Sequence, residues 1–217
     1  MTLSEENYLK AIYHLSAKSG IAVTTNDLAD AMDTKASSAT DMIKKLADKD
    51  FVNYKKYQGA TLTKEGRLIA ASIVRKHRLW EVFLVEKLNF NWDEVHEVAE
   101  HLEHIKSDKL IEELDAYLDY PTVDPHGDPI PDKYGEIQAG KKVPLSSLKP
   151  SEKGLCVGVK NTSKEFLQYL DKIEIALGIE LTIIEKEVFD GSVTIAYKEF
   201  QKNISAVAAA NLYVRKI

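Results

Sequence analysis

The stretch VHEVAEHLEHIKSD, residues 95–108, holds three of the chain's six histidines and three glutamates. If it is helical, at about 100° per residue, the side chains of His96, Glu100, Glu103 and His104 share one arc of about 100°. Val95, Val98, Leu102 and Ile105 occupy a separate apolar arc, with Ala99 between the two faces. Upstream, RKHRLWEVFL sets His77 and Glu81 four residues apart, again on one helical face. Carboxylates together with imidazoles form a mixed oxygen and nitrogen donor set suited to Mn(II), Fe(II) or Zn(II), and the lack of sulfur tilts it towards the harder ions. Clustered carboxylates repel unless a cation or solvent screens them, so an ion would remove a real electrostatic cost. The bland alternative is a charged, solvated helix face. A metallohydrolase built on the same cluster is a second alternative, although HEVAE at 96–100 lacks the second histidine that the zinc-protease pattern needs.

Something must position these groups. The front of the chain shows three helical patterns and a hairpin: EENYLKAIYHLSAKSG, with Leu9, Ile12 and Tyr13 on one stripe, then TTNDLADAMD, then TKASSATDMIKKLADKD. In the third, Ala39, Met42, Ile43 and Leu46 have the spacing of a buried stripe. FVNYKKYQGATLT reads as two short strands around Gln58-Gly59. That order is a winged helix-turn-helix. Setting the buried stripe aside leaves Lys35, Ser37, Ser38, Thr40, Lys44 and Lys45 on the third helix, a surface suited to the major groove, with Lys55 and Lys56 on the wing. Asp41 on the same surface opposes phosphate.

All six prolines lie between Pro121 and Pro150, four of them in PTVDPHGDPIPDKYG, which predicts a loop or linker. Beyond it ELTIIEKEV, SVTIAYKEF and NLYVRKI read as strands, with a turn at Asp190-Gly191 and one helix over SKEFLQYLDKIEIALG. Net charge is −5, but residues 1–76 hold 12 Lys+Arg against 9 Asp+Glu, so the front end is mildly basic and permits a polyanionic partner. The lone cysteine, Cys156, excludes an intrachain disulfide and suits a reducing cytosol. No run approaches membrane-spanning length, and the expectation is a cytoplasmic protein without a membrane partner.

With these residues in view the chain resembles the diphtheria-toxin-repressor family of metal-dependent transcriptional repressors, especially its manganese-sensing branch. The resemblance runs nearly the whole length and is carried by the winged helix, RKHRLWE, VHEVAEHLEHIKSD and PHGDPIP. It implies a mainly α protein with a small β domain: a winged helix-turn-helix DNA-binding domain over 1–72, a helical dimerisation and metal-binding domain with its Pro-rich linker over 73–140, and a Src-homology-3-like β-barrel over 141–217. Iron sensors of the family use a methionine in helix 1 and a cysteine in the dimerisation helix; manganese sensors place oxygen donors there. By that match Glu100 stands at the cysteine position, followed by Glu103 and His104, and Asn7 stands at the helix 1 position. His77 matches a further ligand histidine, Glu81 and His96 an ancillary site, and Asp124 and His126 a second site supplied by the linker; Glu165 is a weaker candidate. His14 and His101 match no ligand position. Asn7 departs from both patterns, its oxygen being neutral. The implied function is a Mn(II)-activated homodimeric repressor of metal-ion homeostasis genes, binding double-stranded operator DNA, with Fe(II) as the alternative effector, Zn(II) or another divalent ion as an in vitro substitute, and no small organic substrate.

Overall fold

The structure, a computed structural model, describes residues 1–138 and 140–217, without the side chains of residues 18 and 19. Two compact units emerge: Met1–Trp80 with Ala99–Tyr120 and Ile130–Ile137, and Glu81–Val98 with Pro121–Pro129 and Gln138–Ile217.

In the first unit α1 spans Leu3–Ser19. The Thr2 hydroxyl accepts from the Glu5 amide at 3.3 Å while the Glu5 carboxylate accepts from the Thr2 amide at 3.0 Å. This reciprocal cap satisfies two of the donors that a helix start leaves unpaired. The helix ends at Gly20, whose φ of +67° closes it with a left-handed cap. Thr24 caps α2 (Thr25–Ala31), and α3 follows over Ala36–Ala47. Leu9, Ile12 and Tyr13 of α1, Leu28 of α2, and Ala39, Ile43 and Leu46 of α3 close into one core, as their spacing predicts. Strands β1 (Val52–Lys55) and β2 (Gly59–Leu62) form the antiparallel wing, with Lys56, Tyr57 and Gln58 between them. Gly59, at φ +94°, lies so near the Val23 carbonyl that a Cβ would sit 2.6 Å from its oxygen, which is why the wing turns there on glycine.

Helix α4 runs over Lys64–Leu88, α5 over Val95–Leu102 and α6 over Asp108–Tyr117. The histidine- and glutamate-rich stretch is thus shorter as a helix than its periodicity predicts: Glu103 and His104 lie in the turn after α5. The expected packing face is also rotated. Val95, Ala99 and Glu103 are fully buried, whereas Val98, Leu102 and Ile105 are half-buried. The proline-rich segment contains no helix, and two aspartates organise it. Asp124 Oδ1 accepts from the amides of His126 and Asp128, at 2.8 and 3.0 Å, and Asp132 Oδ1 accepts from those of Tyr134 and Glu136, at 2.8 and 2.9 Å.

The second unit contains an antiparallel sheet of six strands, ordered β3-β8-β4-β5-β6-β7: β3 Val143–Pro144, β4 Lys153–Val159, β5 Glu180–Lys186, β6 Val193–Tyr197, β7 Phe200–Ile204 and β8 Leu212–Lys216. Two helices, α7 (Lys164–Lys172) and α8 (Ala206–Asn211), complete this small β domain. Three expectations are corrected. SVTIAYKEF is not one strand: it breaks at Lys198, with φ +49°, into β6 and the start of β7. The helix predicted over 163–178 stops at Lys172, because Glu174 takes a positive φ of 57°. The domain carries two α-helices rather than one, α8 being a short alanine-rich turn capped by Ser205.

Candidate metal centre

The sequence places His96, Glu100, Glu103 and His104 on one face, but the structure sorts the candidates into two groups. The first gathers donors from α1, α4 and the end of α5. His77 Nδ1 lies 2.6 Å from Glu103 Oε2 and 3.8 Å from Glu100 Oε1. These three residues present ligand atoms within 4.8 Å of one another, a separation one ion can span. His104 Nδ1 lies 2.6 Å from Glu6 Oε2, and its Nε2 is 3.7 Å from Glu103 Oε1. A carboxylate on one imidazole nitrogen fixes the ring and leaves the other nitrogen free to face a metal, as metal-binding histidines require. Asn7 Oδ1 is buried and has no hydrogen-bond partner among the described residues. An orphaned oxygen of this kind costs free energy that a cation would recover, so Asn7 and its neighbours fit an ion.

Sequence reasoning overlooked two members of this group. Glu6 adjoins Asn7 on α1 and is 5% exposed. Lys10, one turn further, donates to Glu100 and, at 2.8 and 2.7 Å, to both oxygens of the fully buried Glu103. Their signal was helical: Glu6 and Lys10 lie four apart and flank Asn7 on α1.

The second group comprises Glu81, Asp124 and His126, each at most 4% exposed and also within ligand-sharing distance. His126 Nδ1 is 3.7 Å from Glu81 and 3.9 Å from Asp124. Its Nε2–H donates to the Trp92 carbonyl at 2.8 Å, and its ring stacks on that indole with centroids 6.3 Å apart. His96 reaches Glu81 at 3.5 Å but is largely solvent-exposed, which makes it a peripheral member. Burial alone would lower the His126 pKa, yet Glu81 and then Asp124 outweigh it and raise it to about 9. The proton on His126 is therefore the counter-ion of two buried carboxylates at neutral pH. An ion binding here must release it, so affinity should climb with pH up to about 9. Calorimetry in buffers of different ionisation enthalpy should show a proton-release contribution that His126→Gln removes; identical enthalpies for the wild-type chain across buffers would contradict this.

The DNA-facing candidates are also located. Lys35, Ser37 and Ser38 are exposed at the start of α3, with Lys35 at the cap position. Thr40 donates its hydroxyl to the Ala36 carbonyl at 2.7 Å, so that donor is already engaged within the helix. Lys44 is exposed, with Asp41 at 4.0 Å. Lys45 directs its ammonium to Glu5 at 3.0 Å. Lys55 is exposed on β1, and Lys56 lies 4.9 Å from the centroid of the Tyr57 ring at the wing tip. Glu165 lies in the first turn of α7 in the second unit and in neither donor group. Among the described residues no helix is long and apolar enough to cross a membrane.

Comparison with known proteins adds an independent line. Residues 1–60 match the model of the iron dependent repressor N-terminal DNA binding domain, 63–132 that of the iron dependent repressor metal binding and dimerisation domain, and 143–216 the FeoA domain. An HTH-type transcriptional regulator of Methanocaldococcus jannaschii is 37% identical over 119 residues, covering 55% of this chain and 95% of that one. The iron-dependent repressor IdeR of Mycobacterium tuberculosis is 31% identical over 126 residues, 58% of this chain and 54% of its own length, so the match spans about half of that relative. A solved manganese-dependent transcriptional repressor in complex with manganese is 34% identical with a TM-score of 0.86, covering 98% of this chain and all of that one. These matches remove the metallohydrolase alternative, since the family consists of regulators rather than enzymes. The matches along all three segments mean that this chain belongs to the iron-dependent repressor (diphtheria-toxin-repressor) family of metal-dependent transcriptional repressors.

Proposed function

We propose that this chain is a Mn(II)-activated homodimeric repressor that binds double-stranded operator DNA in the cytoplasm and controls genes of metal-ion homeostasis. Segments 1–72, 73–140 and 141–217 would serve as DNA reader, metal-binding dimerisation region and accessory β domain. The observation that carries this reading is the first donor group, in which α1 and the end of α5 present only oxygen and nitrogen. The one thiol, Cys156, lies in the β-domain core, where burial pushes its pKa up to about 11, and cannot supply a soft ligand. Asn7, Glu100, Glu103 and His104, with His77 beside them, would hold the effector ion, and Glu81, Asp124 and His126, with His96 peripheral, a second one.

When bound, the ion would supply positive charge that lets Glu100 and Glu103 share one site with donors from distant parts of the chain. The chain's own contacts do the rest. Glu6 and Lys10 bring α1 to the end of α5 and the turn after it, where Glu6 orients His104. One residue earlier, Glu5 accepts from Lys49 at 2.7 Å and pairs with Lys45, so the first turn of α1 also holds the C-terminal end of the recognition helix α3. Anything that steadies α1 therefore steadies α3. In a dimer this orients two recognition helices for a palindromic operator, and metal and DNA affinities become reciprocally linked.

Fe(II) is the second reading, because Asn7 at the helix 1 position matches neither the iron nor the manganese pattern of the family. DNA binding at fixed ionic strength in Mn(II), Fe(II), Zn(II) and chelator separates the two. Mn(II) should tighten binding most. Lys44→Ala and Lys56→Ala should each lower the salt slope by about one. Equal affinity with chelator and with every ion would end the proposal.

A further inference from the structure

We infer that Lys10 is a built-in counter-cation, which occupies the Glu100–Glu103 carboxylates in the metal-free chain and has to leave them when a divalent ion binds, so that Lys10 sets the metal concentration at which the repressor responds. This rests on the assignment of that cluster as a metal site and goes beyond it. The ammonium donates to one oxygen of Glu100 and to both oxygens of Glu103. These include the oxygens that, with His77, an ion would take. Glu103 is wholly enclosed and the Lys10 side chain is 13% exposed, so bulk water contributes little to balancing the charge on Glu103, whereas Glu100 is 32% exposed. Two glutamates so close need a cation, and α1 provides one.

A divalent ion bonded to the same oxygens would stand within a few ångströms of the ammonium, where like charges repel strongly. Loading is then an exchange of one cation for another. The exchange also revises what the metal-free state looks like: α1 is already tied to the end of α5 by Lys10 and by the Glu6–His104 pair, ninety or more residues away in sequence. An ion that binds too weakly to displace the ammonium leaves that arrangement as it is, which discriminates against weak competitors such as magnesium.

Calorimetric titration of Mn(II) into the full-length wild-type, Lys10→Met and Lys10→Gln proteins tests this, with thermal melts of each in chelator. The second donor group is common to all three, so differences isolate Lys10. Both variants should bind Mn(II) about tenfold tighter or more, melt lower than wild type in chelator, and gain more thermal stability from Mn(II). Lys10→Gln keeps a hydrogen-bond donor and so remains informative if Lys10→Met folds poorly. Mn(II) affinity in the variants equal to or weaker than wild type would overturn the role of Lys10 alone. No Mn(II) binding by any of the three would remove the metal-site assignment, and this inference with it.

Discussion

Glu103→Gln should lower Mn(II) affinity by at least about 100-fold and leave DNA binding the same in Mn(II) and in chelator, with the dimer unchanged in sedimentation. The size follows from where this carboxylate sits. It is fully buried, it lies 2.6 Å from His77 and accepts from Lys10, and its other oxygen lies 3.7 Å from His104 Nε2. Altering a residue that only orients a ligand costs about 10–100-fold in metal affinity, and Glu103 contacts Lys10, His77 and His104 at once. Glutamine keeps the volume and an accepting oxygen, so the cavity stays filled while the negative charge is lost. That choice matters because removing one partner of a buried ion pair destabilises by about 3–5 kcal/mol, which alanine would compound with a void. Lys10 retains Glu100 in the variant, so the metal-free fold should survive with a modest fall in melting temperature. A Glu103→Gln protein that still tightens on its operator in Mn(II) would place the effector ion elsewhere.

Much of the architecture could be read from spacing alone, and the exceptions have physical causes. The stripes Leu9/Ile12/Tyr13 and Ala39/Ile43/Leu46 are buried because each helix has one apolar face and no competing signal. The histidine- and glutamate-rich segment departs from its periodicity in one respect. Periodicity assumes that apolar side chains are buried and charged ones exposed, whereas Glu103 is buried more completely than Val98 or Leu102 because Lys10 and His77 satisfy it. Such compensation comes from residues far away in sequence and leaves no local trace. The division of His96 from Glu100, four residues on, likewise left no trace in the periodicity and was legible only through the family resemblance, which paired His96 with Glu81, 3.5 Å away in the structure. In the β domain the break at Lys198 was missed because the tight turn uses Lys198 and Glu199 in place of the usual Asn-Gly or Asp-Gly. Asp124 became a ligand candidate only through the family resemblance, and in the structure the same carboxylate caps its own turn.

Glu5→Gln should cost about 1–3 kcal/mol of stability at neutral pH and weaken the gain in DNA affinity that Mn(II) provides. The carboxylate is inaccessible to solvent, accepts from Lys49, pairs with Lys45 and completes the cap with Thr2. The hydrogen bond from Lys49, then that from the Thr2 amide, hold its pKa down from 4.5 to about 2. A depressed carboxylate pKa contributes stability that is fully present above 4.5 and fades as pH falls towards about 2, because the unfolded chain then takes up the proton more readily. Denaturant melts of wild type and variant should accordingly differ at neutral pH and converge in acid. Both lysines are about half-exposed, so solvent screens the pair, and the effect stays near the size of charged hydrogen bonds rather than a full buried ion pair. The functional consequence is separable from the folding one. Glu5 touches α3, whereas Glu6, the next residue, contacts the donor cluster through His104, so neutralising Glu5 should leave Mn(II) affinity nearly intact while loosening the hold of α1 on the recognition helix. DNA affinity should then fall more in Mn(II) than in chelator; an equal fall in both would confine Glu5 to a folding role and require another contact to link the ion with α3.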